Sequence, residues 1–399
     1  MSPTTLDTAD IRRRNLSAVL SHVVEQGAAS RSAIADATSL SRGAVTSLVA
    51  DLVQAGLLRE TEAVAAAKGR PRVLLEPAGD DLCLVTALLD ADRATVVAST
   101  LSGAELRRVE HRHGRPMGDP AAIAAVLADA LDELRSAVPR RVADLSIVVW
   151  APVGGTPPVV LADTDLDWGE VDLVALLRER SQALRAFEAA GGAVQLVADS
   201  EVAAVAEHAS AGHPDGMLYL KADSGIGGAV VLGAHDPLVL GAALGHQPIV
   251  PDGLPCLCGQ RGCLVTVAGP DVLLAAAGLG DAAAADGLSA ALAEFTARVH
   301  AAEPQAVAAW TPACAEVARA VQITALAFGP EVSVLGGFYA DLAAGVDAVF
   351  RGIQPRLGGS SAVHVPRIVG STLGADAALR GAQRDARARV TGDPLALVR

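Results

Sequence analysis

From Asp10 to Gln26 the apolar residues Ile11, Leu16, Val19, Leu20, Val23 and Val24 recur at helical spacing, and Gly27 supplies a stop. Ser30 and Ser41 each precede a further helical stretch, RSAIADAT and RGAVTSLVADLVQAG, where a hydroxyl can cap free backbone N–H groups. The second stretch ends at Gly56. Two short helices joined by a tight turn behind a longer one predict a helix-turn-helix, and LLRE with RPRVLLEP supplies two short strands of a wing.

After Pro77-Ala78-Gly79 the pattern changes. LCLVTALLD, TVVAST, LSIVVWAP and VQLVAD read as buried strands, alternating with helical stretches over 120–137 and 172–190. Such alternation predicts an α/β body whose sheets are covered on both faces. LYLKADSGIGGAVVLG reads as strand, Gly-rich turn and strand; residues 270–328 are Ala-rich and mostly helical; EVSVLGGF closes the series with a strand and a paired-glycine turn. No fixed-period repeat is visible. The expected division is a winged helix-turn-helix over 1–77 and an α/β body over 78–399.

With 399 residues, half of them hydrophobic, the chain can bury a large core without disulfides. No uninterrupted apolar run of about 18 residues occurs, and MSPTTLDTADIRRRN lacks the apolar stretch of a secretory signal. The cytoplasm is the expected compartment, with no membrane partner. A net charge of −13 argues at first against nucleic acid, but the balance is uneven. Residues 1–77 carry nine Lys/Arg against eight Asp/Glu, net +1, and the remainder 23 against 37, net −14. Affinity for DNA depends on where cations meet phosphate, so the basic groups that matter must be local. Only two lysines, Lys68 and Lys221, stand against thirty arginines, a bias read as genome composition and given no function.

In the second short helix Val45, Leu48, Val49 and Leu52 would face inward. Ser41, Arg42, Gly43, Thr46 and Ser47 then lie on the outer, N-terminal surface, which in a helix-turn-helix enters the major groove. The same pattern would also serve an ordinary helical hairpin. Lys68-Gly69-Arg70-Pro71-Arg72, where a wing returns, sets three cations around a Gly-Pro turn, as in arms that read a narrow minor groove.

Three of the five cysteines crowd together, and with His246 ten residues before Cys256, then Cys258 and Cys263, they make a closed Cys₃His set suited to structural zinc. Cys83 and Cys314 stand alone and read as small buried hydrophobes. The turn 222–228 would let backbone N–H groups approach a phosphate, or is a tight hairpin with no ligand. Asp199, ending VQLVAD, is placed like a carboxylate that accepts a proton in phosphoryl transfer, or caps the helix that follows.

Together these residues resemble the ROK family of repressors, open reading frames and sugar kinases, from about Arg12 to about Arg380. The CxCGxxGC run with His246 carries the resemblance most specifically, supported by Leu166-Asp167-Trp168, Gly225 to Gly228 and Pro330 to Gly337. The resemblance implies a two-lobed actin/hexokinase-like ATPase fold behind the winged helix-turn-helix, a zinc loop over 246–263, and a homodimer or homotetramer. It also implies control of sugar-related genes by binding a double-stranded DNA operator. Family kinases open on a DxGxT phosphate turn; Leu88 to Ala94 here contains no glycine. Polar residues that hold a hexose in the family are replaced by Ala198, Ala243 and Val265, leaving Asp199 and His246 as ligand-binding candidates and Asp199 as a vestigial base. The expectation is therefore a non-enzymatic regulator whose effector, where one exists, is not an ordinary hexose. Two readings compete with it: an ATP-dependent sugar kinase with an N-terminal appendage, and a ligand-independent scaffold or corepressor-binding dimer.

Overall fold

The computed structural model describes residues 8–61, 73–78, 81–90, 92–114, 119–161, 167–235, 237–354 and 365–397. Helices α1 (Thr8–Gln26), α2 (Arg31–Thr38) and α3 (Arg42–Gln54) precede the antiparallel pair β1 (Leu58–Glu60) and β2 (Leu75–Pro77). Ser30 and Ser41 are the N-caps of α2 and α3, their hydroxyls accepting from the Ala33 and Ala44 N–H groups. Val45, Leu48, Val49 and Leu52 are buried against Leu16, Val19, Leu20 and Ile34, each fully buried side chain stabilising the unit by roughly 1.5–3 kcal/mol.

The body consists of two lobes built on the same plan. In the first, β3 (Leu82–Leu89), β4 (Arg93–Ser99), β5 (Glu105–Arg112), β6 (Arg141–Val149) and β9 (Gln195–Ala198) form a sheet of order β5-β4-β3-β6-β9. Its first three strands are antiparallel and its last two join in parallel. A small hairpin, β7 (Val153–Gly154) and β8 (Val159–Val160), lies between. Helix α4 (Pro120–Ala137) spans the expected 120–137. The expected 172–190 helix is instead two, α5 (Leu173–Arg180) and α6 (Gln182–Ala189). The break falls at Ser181, whose buried hydroxyl caps α6 and donates to Asp132 at 2.7 Å; Asp132 also accepts from the Ala183 N–H. The anchoring carboxylate belongs to α4, too far away in sequence for local periodicity to reveal it.

In the second lobe β10 (Gly216–Ala222), β11 (Ile226–Leu232), β12 (Leu238–Ala242), β13 (Val332–Gly337) and β14 (Arg367–Gly370) repeat the arrangement in the order β12-β11-β10-β13-β14. Its outer face is covered by α8 (Val265–Ala268), α9 (Pro270–Ala276), α10 (Gly280–Asp286), α11 (Leu288–His300), α12 (Pro304–Phe328) and α13 (Tyr339–Gly352). The sequence-based strand reading missed β5, whose exposed, charged ELRRVEHR has only Val109 fully buried.

Helices α7 (Asp199–Ser210) and α14 (Ala377–Gly392) lie where the two sheets face each other, sharing a core of Leu88, Val97 and Val148 with Met217, Tyr219 and Val231. They approach so closely that a Cβ on Gly381 would meet the Val202 carbonyl at 1.8 Å. Among the described residues no single helix is long and apolar enough to cross a membrane.

Candidate functional site

At the start of α3, Ser41, Arg42, Gly43, Thr46 and Ser47 are all exposed, above a sealed apolar face. Arg42 has no intramolecular ion pair among the described residues, whereas Arg12 on α1 pairs with Asp51 and ties α1 to the solvent face of α3. The Thr46 hydroxyl donates to the Arg42 carbonyl at 2.9 Å, which leaves its lone pairs outward. The expected wing cations Lys68, Arg70 and Arg72 lie outside the described residues.

His246 ends a short 3₁₀ turn, Leu244–His246, after β12, and the loop that follows brings it to Cys256, Cys258 and Cys263. The loop folds by its own backbone bonds: Cys256 N–H to the Gln260 carbonyl at 2.8 Å, and Gly262 N–H to the Leu254 carbonyl at 2.8 Å. Gly262 has φ +70° and lies so near Val250 that a Cβ would meet its carbonyl at 1.8 Å, so no other residue fits there. One ligand atom from each of the four side chains lies within 4.8 Å of all the others. Cys256 Sγ is 3.5 Å from His246 Nδ1, and Cys258 Sγ is 3.7 Å from Cys263 Sγ. Zn–S bonds of ~2.3 Å and a Zn–N bond of ~2.05 Å in a tetrahedron require separations of about 3.5 Å and about 3.8 Å. The donor set and its spacing fit a four-coordinate metal ion with no open position.

Beside this loop a cavity of about 480 Å³ opens between the lobes, lined by Trp150, Ala198, Asp199, Glu201, Ala243 and His246, among others. A second, of about 210 Å³, lies on the far side of the same residues and is lined by Asp90, Tyr219, Asp223, Asp341 and the paired glycine Gly337. Asp199 and Lys221 line both. Their side chains form a buried ion pair, and Lys221 Nζ also donates to Asp223 Oδ2 at 3.0 Å. Burial disfavours the Lys221 ammonium, but the Asp199 and Asp223 charges outweigh it and hold its pKa well above the usual lysine value. Asp199 opens α7, and Ala198, not Asp199, occupies the N-cap position, so the capping alternative is set aside.

Of the expected hexose-site replacements, Ala198 and Ala243 face the cavity, whereas Val265 packs against the second lobe's core. In the stretch where a phosphate turn was expected to be lost, Asp90 N–H bonds the Arg93 carbonyl at 2.8 Å and Asp92 is buried beside Arg93. The smaller cavity presents the carboxylates of Asp90, Asp223 and Asp341, which would repel a polyanion such as a triphosphate. Cys83 and Cys314 are buried and unpaired, as expected. Sequence reasoning passed over Lys221 and Glu201. The signal for the first was a lysine inside the apolar strand LYLKA, in a chain with only one other lysine.

Comparison with known proteins bears on the whole chain. Its lobes and head are similar to the crystal structure of a ROK family transcriptional regulator described as a homolog of the E. coli MLC protein. That structure superposes with a TM-score of 0.72 at 22% identity, covering 97% of this chain and 99% of the other. A ROK family glucokinase from Streptomyces griseus, in complex with glucose and AMPPNP, superposes at 0.59 and 21% identity, covering 76% of this chain and 99% of its own. Among curated proteins, kanosamine kinase of Amycolatopsis mediterranei is 31% identical over 153 residues, 37% of this chain and 48% of the kinase. The chain thus matches about half the length of that relative. The ROK family profile matches residues 93–388, well over half of the sequence, and the chain belongs to the ROK family.

Proposed function

We propose that the chain is a sequence-specific DNA-binding transcriptional regulator, acting as a repressor, in which residues 1–77 read an operator and residues 78–399 dimerise and take an effector. The observation that carries this reading is the capped, outward-facing start of α3 on a three-helix unit that precedes the family's body. Coverage supports it: the regulator structure spans 97% of the chain, while the glucokinase leaves about a quarter unmatched. Two-fold assembly as a dimer or dimer of dimers would present two recognition helices to a palindromic site. A zinc ion held by His246, Cys256, Cys258 and Cys263 would brace the loop beside the cleft, in a structural role.

Similarity to sugar kinases supports a second reading, an ATP-dependent kinase with an N-terminal appendage. Against it stand Lys221, which occupies the carboxylate that would serve as base, and the three aspartates of the smaller cavity, which would repel a polyphosphate. Under the regulator reading ATP is not consumed with glucose, N-acetylglucosamine or xylose, and none of these sugars binds below the millimolar range.

The decisive experiment selects bound sequences with the full-length chain and repeats the selection with Arg42→Ala and Thr46→Ala. Each variant should lose roughly 1–3 kcal/mol at one position of a two-fold site. Selection profiles unchanged by both substitutions would remove α3 as the reading element. Point variants are the right tool, because α1 packs on α14 and truncation would expose Ala386 and Val390.

A further inference from the structure

The larger cavity carries negative charge that the fold leaves uncompensated. Its charged lining is Asp199, Glu201 and Lys221. Lys221 is fully engaged, ion-paired with Asp199 and 3.0 Å from Asp223, so the charge of Glu201 in this lining is left without a counter-ion. Glu201, in the first turn of α7, has neither a hydrogen bond nor an ion pair among the described residues. Its carboxylate lies against β12, where a Cβ on Gly241 would come within 2.3 Å of Oε1. Partial burial, reinforced by the Asp199 charge, pushes its carboxyl above the ordinary glutamate range. A half-buried carboxylate with no partner is costly, and such groups are concentrated where a ligand completes them.

Trp150 lines the same cavity. Its indole N–H is buried with no partner, and its ring stacks on His113 with centroids 6.4 Å apart and planes 12° from parallel. An aromatic ring and an unpaired carboxylate lining one cavity are groups that together suit an organic cation. The Ser200 and Ser224 hydroxyls complete a polar lining. An anion would meet the excess carboxylates. A neutral hexose would leave Glu201 without a counter-ion. A divalent cation would find one free carboxylate, since Asp199 is already bound by an ammonium.

We propose that this cavity binds a compact ligand of monosaccharide size bearing a protonated amine, with Glu201 as its counter-ion. The site's position in the effector body rests on the regulator reading above; its ligand chemistry does not. The amine replaces the missing partner of Glu201, while Trp150 offers part of its ring to the rest of the molecule.

Calorimetry on the full-length chain near neutral pH tests this with glucosamine, galactosamine and mannosamine against glucose, galactose, mannose and the three N-acetylated amines, in which the amine is absent or blocked. At least one free amine should bind about tenfold or more tighter than its hydroxyl and acetylated counterparts, the gain of one charge-assisted hydrogen bond. Glu201→Gln should abolish the preference and Glu201→Asp should keep it, with thermal melts confirming that both variants fold. No preference for any of the three amines, a preference that survives Glu201→Gln, or magnesium chloride binding alone in a Glu201-dependent manner would each overturn the proposal. Selection of bound DNA by the ligand-free chain separates the two readings. A chain that selects a site but ignores amines sinks the ligand proposal alone. One that binds amines but selects no DNA sinks the regulator reading and leaves the site standing.

Discussion

Replacing Lys221 by methionine keeps most of the buried stem and removes only the charge. Asp199 is 5% exposed, and once the ammonium is gone the Ser200 backbone N–H remains to it while Asp223 repels it. Breaking a buried pair from one side costs about 3–5 kcal/mol. An independent ceiling comes from protonation. Burial pushes the Asp199 carboxyl up even with Lys221 opposing it, so without the lysine the folded state can hold a proton that the unfolded chain, titrating near the ordinary ~3.9, has lost. Holding it costs about 1.4 kcal/mol per pH unit above that value, or about 5 kcal/mol at pH 7.5 and about 2 kcal/mol at pH 5.5. The sign follows from proton counting: the unfolded state binds fewer protons, so the variant's stability falls as pH rises. Urea unfolding followed by tryptophan fluorescence should therefore show a deficit of about 3–5 kcal/mol near pH 7.5 that shrinks toward pH 5.5. Asp199→Asn combined with Lys221→Met should recover most of it. A single variant within about 1 kcal/mol of the parent at pH 7.5, or a deficit independent of pH, would refute the buried pair as the partition of the cleft.

Gly381→Ala should lower the melting temperature, because the new methyl would meet the Val202 carbonyl at 1.8 Å; overpacking of this kind costs about 1–3 kcal/mol or more, and an unchanged melt would contradict the close approach of α7 and α14. Purified protein should carry one zinc per chain, and both chelation and Cys258→Ser should release it and lower thermal stability; metal-free protein that melts like the parent would rule out a structural role. In the absence of ligand, Glu201→Gln should raise stability at neutral pH, because the folded-state carboxyl is raised mainly by burial and then by Asp199, and stability is lost as pH climbs through it. The gain should fade on acidification, and a variant less stable than the parent at neutral pH would show that Glu201 has a partner.

Local signals in the sequence carried most of the head and much of the body. Ser30 and Ser41 announced their helices because a cap is a one-residue statement, and Val45, Leu48, Val49 and Leu52 announced the buried face because a helix repeats within a few residues. The metal loop was legible for the same reason: three thiols within eight positions need only two glycine turns to converge. What escaped was the chemistry of the cleft. Glu201 reads as one more acid in a helix's first turn, and Lys221 as a lone charge in a strand. The meaning of Lys221 depends on Asp199 arriving from α7, and that of Glu201 on Gly241 arriving from β12. The break at Ser181 was hidden likewise, since the acceptor that stabilises it is Asp132 on another helix.

The same limit governs the boundary expected after Pro77. Along the chain it is sharp, because the spacing of apolar residues changes from helical to strand-like there. In space the apolar cluster of the head does not stop at that residue. Leu16, Val19 and Leu20 of α1 share it with Leu82 and Leu84 of β3, Leu101, and Ala386 and Val390 of α14. Arg13 adds an ion pair to Asp393 at 3.3 Å. Helix α14 is held in turn from the body side: Arg389 donates to Asp144 at 2.8 and 2.9 Å and to the Ser146 hydroxyl at 2.6 Å, both on β6. Two turns earlier in the helix Ala382, and before it Gly381, pack against α7, whose first residue is Asp199 in the cleft. A single sixteen-residue helix from the end of the sequence thus completes the core of a unit from its beginning while lying against the helix that carries the cleft carboxylates. No periodicity within 1–77 can disclose such a partner, because Ala386 and Val390 lie some three hundred positions away.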